Sequence, residues 1–171
     1  MIILGIDPGI AIVGWGVIEY NQNRFRTIAY GAVTTDAGID VEVRLQTVYH
    51  ELCEIIDCYK PDAMAVEELF FNTNITTGIA VAEARGVILL AAIEHGVPIA
   101  EYTPLQVKSA IVGYGRADKK QVMTMVTSLL RLKSVPKPDD TADALAIAVC
   151  HAHTGGSKLS VFYNQKKTRL T

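Results

Sequence analysis

Apolar residues crowd the very start of the chain, where Ile2 to Ile6 run up to Asp7 with only Gly5 among them. A run this short, ended by Asp-Pro-Gly, predicts a buried strand over 2–7. Val13 to Tyr20 and Arg24 to Thr34 predict two more strands, joined by a polar turn at Asn21 to Asn23. Hairpin-like spacing of this kind predicts an antiparallel start. The period then changes. Leu45, Val48, Leu52, Ile55, Ile56 and Tyr59 recur at helical spacing, so an amphipathic helix is predicted over 41–60, stopped by Pro61. Ala63 to Glu67 predicts a short buried strand, 74–95 a second helix, and Val97 to Tyr102 a further strand. Thr103-Pro104 suits a helix start, with Thr as N-cap and Pro in the first turn, and that helix ends at Gly113. Two more helices are predicted, over Asp118 to Leu132 and over 140–152. Strands come first and then alternate with helices, which predicts an α/β layer fold with a mixed five-stranded sheet flanked by helices.

The chain has 171 residues, enough for one domain with a good core. Half of them are apolar and a fifth charged, which predicts a globular rather than a disordered protein. Asp7 and Pro8 interrupt the opening apolar stretch too early for a signal peptide. The longest later run, Val87 to Ile93, is far short of the roughly 20 residues that span a membrane. Cys53, Cys58 and Cys150 make an odd count with no CxxC, which fits a reduced, cytoplasmic protein. The net charge of −2 alone argues against a nucleic-acid partner, but its distribution changes the picture. Residues 1–102 hold 14 acids and 5 bases, whereas residues 103–171 hold 4 acids and 11 bases. A basic C-terminal half can follow a phosphate backbone while the acids hold a metal. The plainer alternative is a solvated basic surface.

Three carboxylate positions stand directly against apolar runs. Asp7 ends the first strand, Glu67 ends Ala-Met-Ala-Val, and Asp140 and Asp143 open Ala-Leu-Ala-Ile-Ala-Val. Carboxylates are rarely buried unless paired or bound to a cation. Gathered at one sheet edge they would repel strongly, so the pattern predicts a divalent-metal site acting on phosphates. The wider Asp7-x-Gly9 to Gly14 spacing also suits the phosphate loop of actin-like ATPases. Strand side chains alternate faces, so only one of Glu67 and Glu68 can join Asp7, and sequence parity does not choose. Asp140 and Asp143 are three apart and share a helix face, with Asp139 as a substitute for either. An N-cap and a first-turn dipole partner are their structural alternatives. All-oxygen ligands suit magnesium, and two such ions can activate a water and stabilise a leaving oxygen.

Lys119 and Lys120 fall at a predicted helix N-terminus, where they do not help the helix dipole. With the preceding Gly113-Tyr114-Gly115-Arg116, residues 113–120 read as a phosphate-contacting loop. Lys108 reads as a solvated lysine by itself. Phe70-Phe71 follows Glu67, placed to stack on unpaired bases, to wedge a junction open or to cap the core. Cys150, His151 and His153 cluster without zinc-ligand spacing, and with His50 and His95 they read as structural. Gly78, Ala82 and Gly86 form a small-residue stripe that permits close approach to the sheet or to a second subunit.

Taken together, the motifs resemble those of the RuvC family of Holliday junction resolvases. The resemblance runs from Ile6-Asp7-Pro8-Gly9 through Val66-Glu67-Glu68, Phe70-Phe71, Ala84-Arg85-Gly86 and Gln106-Val107-Lys108. It continues through Gly113-x-Gly-x-Ala-Asp-Lys119 to Asp140-Thr-Ala-Asp143-Ala-Leu-Ala. It implies a ribonuclease H-like nuclease domain, expected over 1–156, since after Gly155-Gly156 the chain reads as a basic, flexible tail over 157–171. It implies a two-fold homodimer that cuts opposed strands of four-way DNA junctions with magnesium, two ions per site, manganese being a workable substitute. Asp7, Glu67, Asp140 and Asp143 become the metal ligands under it. Lys108 and Lys119 match basic residues near the scissile phosphate, and Phe70 a junction-contacting aromatic. Branch-migration motor proteins are implied partners, and no membrane is. Glu83 stands where the family more often has Gln, and Asn72-Thr73-Asn74 lacks a Lys often found there. The expectation is a structure-selective endonuclease. An actin-like ATPase or kinase domain and a catalytically silent junction-binding module are the alternatives.

Overall fold

Strands and helices follow one another in the order that the periodicity predicts. The computed structural model describes residues 1–68 and 75–155, so Phe70, Phe71 and the tail over 157–171 lie outside the described residues. The elements are β1 (Ile2–Asp7), β2 (Ile12–Asn21), β3 (Arg24–Thr34), α1 (Val41–Tyr59), β4 (Ala63–Glu67), α2 (Ile75–Glu94), β5 (Ile99–Tyr102), α3 (Pro104–Val112), α4 (Lys119–Leu129) and α5 (Asp139–Gly155). Three boundaries differ from expectation by two residues or more: the last helix runs on to Gly155, and the other two differ for local reasons. The fifth strand starts at Ile99 because Pro98 has no N–H to give the ladder. The fourth helix stops at Leu129 because Arg131 turns left-handed, at φ 52°. No described helix is long and apolar enough to cross a membrane.

The five strands form one sheet in the order β3-β2-β1-β4-β5. The β1–β2 and β2–β3 pairs are antiparallel, whereas β1–β4 and β4–β5 are parallel. The sheet is therefore mixed, and β1 is the strand where the direction of winding reverses. Leu4, Ile6, Met64 and Val66 point to one face, under α1 and α2. Ile3, Ala65, Ala100 and Tyr102 point to the other, under α5, which α3 and α4 cover in turn.

Helix α5 explains its own composition. From Ala144 to Cys150 every residue is buried, so it is an interior helix between sheet and outer helices. It lies unusually close to the sheet because glycines line its path. A Cβ added at Gly5 would stand 2.1 Å from Ala144 O, and one at Gly14 would stand 2.0 Å from Asp140 O. At Gly16 it would meet Leu145 Cδ2 at 2.6 Å. Gly5 pairs with Gly16, and Gly14 pairs with Asp7, so the bare strip crosses two strands. Thr141 then fixes the first turn: fully buried, it donates from Oγ1 to the Gly31 carbonyl of β3 at 3.1 Å.

Candidate active site

Register decides what sequence parity left open. Ile6 pairs with Val66, so Asp7 and Glu67 end adjacent parallel strands side by side. Both continue the odd-numbered set, Ile3 with Gly5 and Ala65, that faces α5. Glu68 lies past the strand end, where its backbone N–H donates to Tyr102 O at 2.8 Å. The glycine strip brings the α5 start over this edge, with Asp140 main chain against Gly14, the partner of Asp7. The site thus forms at the carboxyl ends of parallel strands beside the reversal point, where open α/β sheets bind ligands.

The cations arrive from α3 and α4. Each of these helices starts with a reciprocal capping box. Thr103 Oγ1 accepts Gln106 N–H at 3.2 Å and Gln106 Oε1 accepts Thr103 N–H at 2.8 Å. Asp118 Oδ1 accepts Gln121 N–H at 2.8 Å, and Gln121 Oε1 accepts Asp118 N–H at 2.9 Å. Asp118 thereby uses part of the donor set at the α4 N-terminus. With both helix starts fixed, Lys108 and Lys119 line a cleft with Asp7, Glu67 and Asp143. Pro104, Val107, Val122 and Ile147 complete its wall, and its volume is about 200 Å³.

The electrostatics of this cleft are unbalanced. Burial, followed by the charges of Asp143, Glu67 and Asp140, pushes the Asp7 carboxyl up to about 8, against a weaker opposing pull from Lys119. Burial and then Asp143 raise Glu67, with Lys108 and Lys119 opposing. Burial also raises Asp143, although Lys119 Nζ lies 3.0 Å from its Oδ2. Burial works to lower Lys119, but the hydrogen bond and charge of Asp143 outweigh it and hold the ammonium above its ordinary range. Asp139 belongs to the rim: Lys137 Nζ lies 2.7 Å from its Oδ1 and draws its carboxyl below the ordinary range.

A hard divalent cation fits this donor set. Four carboxylates face two ammonium groups, so negative charge remains in a partly buried cleft. All the donors are oxygens, as magnesium requires. No three of the described Asp, Glu, His or Cys side chains already stand as a closed ligand shell. Lys119 Nζ, 3.0 Å from Asp143 Oδ2, offsets part of the repulsion among these carboxylates.

The expected residues divide accordingly. Asp7, Glu67, Asp143, Lys108 and Lys119 line the cleft, while Asp140 adds its charge from beside Gly14. Arg116 and Lys120 are exposed and do not line it. Phe70 and Phe71 lie outside the described residues. Gly5, Gly16, Thr141 and the Asp118-x-x-Gln121 box were not among the expected residues, and Gly14 was expected only as part of a phosphate-loop spacing. Two signals were available: glycines inside strands mark close backbone approach, and Asp-x-x-Gln marks a helix start. The Cys150–His153 segment is structural as expected. Tyr102 hydroxyl and His151 Nδ1 are 2.8 Å apart, and His153 Nδ1 lies 3.1 Å from Ala110 O.

The family profile described as "Crossover junction endodeoxyribonuclease RuvC" matches residues 3–151. A protein of that description from Alkaliphilus oremlandii is 60% identical over 155 residues, 91% of this chain and 94% of the relative. Another, from Clostridioides difficile, is 61% identical over 154 residues, 90% of this chain and 91% of the relative. Among solved structures, Thermus thermophilus RuvC in complex with a Holliday junction substrate superposes with a TM-score of 0.87 at 38% identity. That match covers 91% of this chain and 94% of the other.

Proposed function

The chain belongs to the RuvC family of crossover junction endodeoxyribonucleases, and from that premise we propose that it resolves four-way DNA junctions by metal-dependent hydrolysis in the Asp7–Glu67–Asp143 cleft. The observation that carries the assignment to this cleft is the convergence of carboxylates from β1, β4 and α5 with Lys108 and Lys119. Asp7, Glu67, Asp140 and Asp143 would hold magnesium, two ions in all, with manganese a substitute. Bound there, the ions supply Lewis-acid activation of a water and neutralise charge on the phosphate. Asp7 and Glu67, rooted at strand ends, keep the site rigid against the moving substrate. Lys119 and Lys108 draw the scissile phosphate into the cleft and stabilise the charge that grows on it. Phosphate stays on the 5′ end and hydroxyl on the 3′ end of the cut.

The same reading includes a homodimer whose two sites face two like strands. Helix α2 offers the surface for it. Ile79, Leu90 and Ile93 are 54%, 51% and 65% exposed, and a Cβ at Gly86 between them would meet nothing within 4 Å. Among the residues of α2 whose burial is described, Ala84, Ile88, Ala91 and Ala92 are buried. The Gly86 end of the small-residue stripe therefore faces away from the sheet, which favours a second subunit as its occupant. Cytoplasmic residence, branch-migration motor partners and a single nuclease domain over 1–156 complete the proposal. The free thiols of Cys53, Cys58 and Cys150 are consistent with the first of these.

A synthetic four-way junction, incubated with the protein and magnesium, tests this directly. The parent chain and Glu68→Gln cut it, whereas Asp7→Asn and Glu67→Gln leave it intact. Cutting by Asp7→Asn would remove the cleft from the chemistry. Binding without cutting by the parent would favour a silent junction-binding module, and ATP turnover would favour an actin-like ATPase.

A further inference from the structure

The loop that joins α3 to α4 and the first turn of α3 together carry apolar surface beside the cleft mouth. Tyr114 is 47% exposed, and Leu105, next to the cleft-lining Pro104, is 63% exposed. Neither is loosely held. The Tyr114 hydroxyl donates to Gln121 Oε1 at 3.1 Å, the oxygen that also accepts Asp118 N–H. The ring is thereby tied to the first turn of α4, the turn that carries Lys119. Gly115 closes the loop onto α3, since an added Cβ would stand 2.2 Å from Leu105 Cδ1. An aromatic and a leucine fixed in solvent beside lysines and Arg116 forgo burial in the free protein.

We propose that Tyr114, backed by Leu105, contacts the DNA strand being cut, its ring lying on an unstacked base next to the phosphate at Lys119. This rests on the junction-cutting reading above. The chemistry suits a nucleic acid. Lys119 and Arg116 match phosphate charge, while the ring supplies the flat apolar face on which bases stack. The surface is also continuous with the cleft through Pro104 and Lys119. In continuous duplex the base faces are already covered by their neighbours. The contact is therefore available chiefly where strands part, and it favours a branched substrate.

The test is fluorescence anisotropy on a labelled four-way junction and on linear duplex of the same sequence. All proteins carry Asp7→Asn, with magnesium present. Tyr114→Ser weakens junction binding about tenfold, the loss of one stacked ring, and weakens duplex binding less. Tyr114→Phe keeps the ring without the hydroxyl and loses less than Tyr114→Ser. Parent-like junction binding by Tyr114→Ser overturns the proposal. Equal losses for Ser and Phe overturn it too, because the hydroxyl clamp would then be what matters. If Tyr114→Ser does not fold, Leu105→Ser tests the same surface with the same expected direction. A parent that shows no preference for the junction defeats the junction reading itself. A parent that prefers it while both Ser variants match that preference defeats only the proposal about the loop.

Discussion

A carboxyl group held near pH 8 stays protonated through most of the neutral range unless a cation joins it. Asp7 is in that position, against an ordinary value of 3.8. Between those two values the folded chain keeps a proton that the unfolded chain has released. The stability linked to Asp7 is therefore fully present below about pH 4 and is lost as pH rises through about 8. With metal removed by EDTA, the melting temperature should fall between pH 5 and pH 8. Magnesium at pH 8 should restore it, because a bound cation favours the ionised carboxylates. Asp7→Asn should flatten the pH dependence while abolishing cutting. Differential scanning fluorimetry reads all three, and a flat parent profile in EDTA would contradict the assignment. The placement of Asp7 was legible in its sequence, as a charge ending an apolar strand. The choice of Glu67 over Glu68 came only with the family resemblance, because strand parity leaves it open and its physical basis is the β1–β4 register.

At the scale of elements, the site depends on how deeply α5 sits. Its first turn presses Asp140 main chain against Gly14 and hangs Thr141 on the Gly31 carbonyl. A methyl at Gly14 would overlap backbone, which does not give way as a flexible side chain does. Gly14→Ala should thus shift the first turn of α5 and lower junction cutting about a hundredfold, as small misplacements of catalytic groups do. Gly38→Ala meets nothing within 4 Å and should cut normally. Thr141→Val is nearly isosteric but removes the donor from the part-buried Gly31 carbonyl and leaves no hydroxyl in a fully buried position. It should cost about 1–3 kcal/mol in urea unfolding, with Thr141→Ser recovering much of that. The length and apolar character of α5 were legible from its run of alanines and branched residues. Its depth was not, because it arises from glycines on two strands far away in sequence.

At the scale of the molecule, acids and bases separate along the chain and reunite in space. The acids of β1 and β4 come from the acidic first part, and Lys108 and Lys119 from the basic remainder. The outward face of α2 is the other large-scale feature, with apolar residues exposed along a helix whose inner face is already buried. Ile93→Asp should leave the fold intact and convert a dimer to a monomer in sedimentation velocity. Junction cutting should then change from paired incision to single nicks, visible as nicked product on a native gel. A parent that sediments as a monomer would remove the dimer from the proposal.

The sequence by itself determined the strands, the helices, the mixed α/β layering and the short list of carboxylates. Each of these follows from local periodicity, turn residues or a charge at the end of an apolar run. Only the tertiary structure decided which carboxylates meet. Strand register put Asp7 beside Glu67, the glycine strip let Asp140 and Asp143 descend onto them, and two capped helices delivered the lysines. These are relations between segments many residues apart, and no local pattern encodes the distance between them.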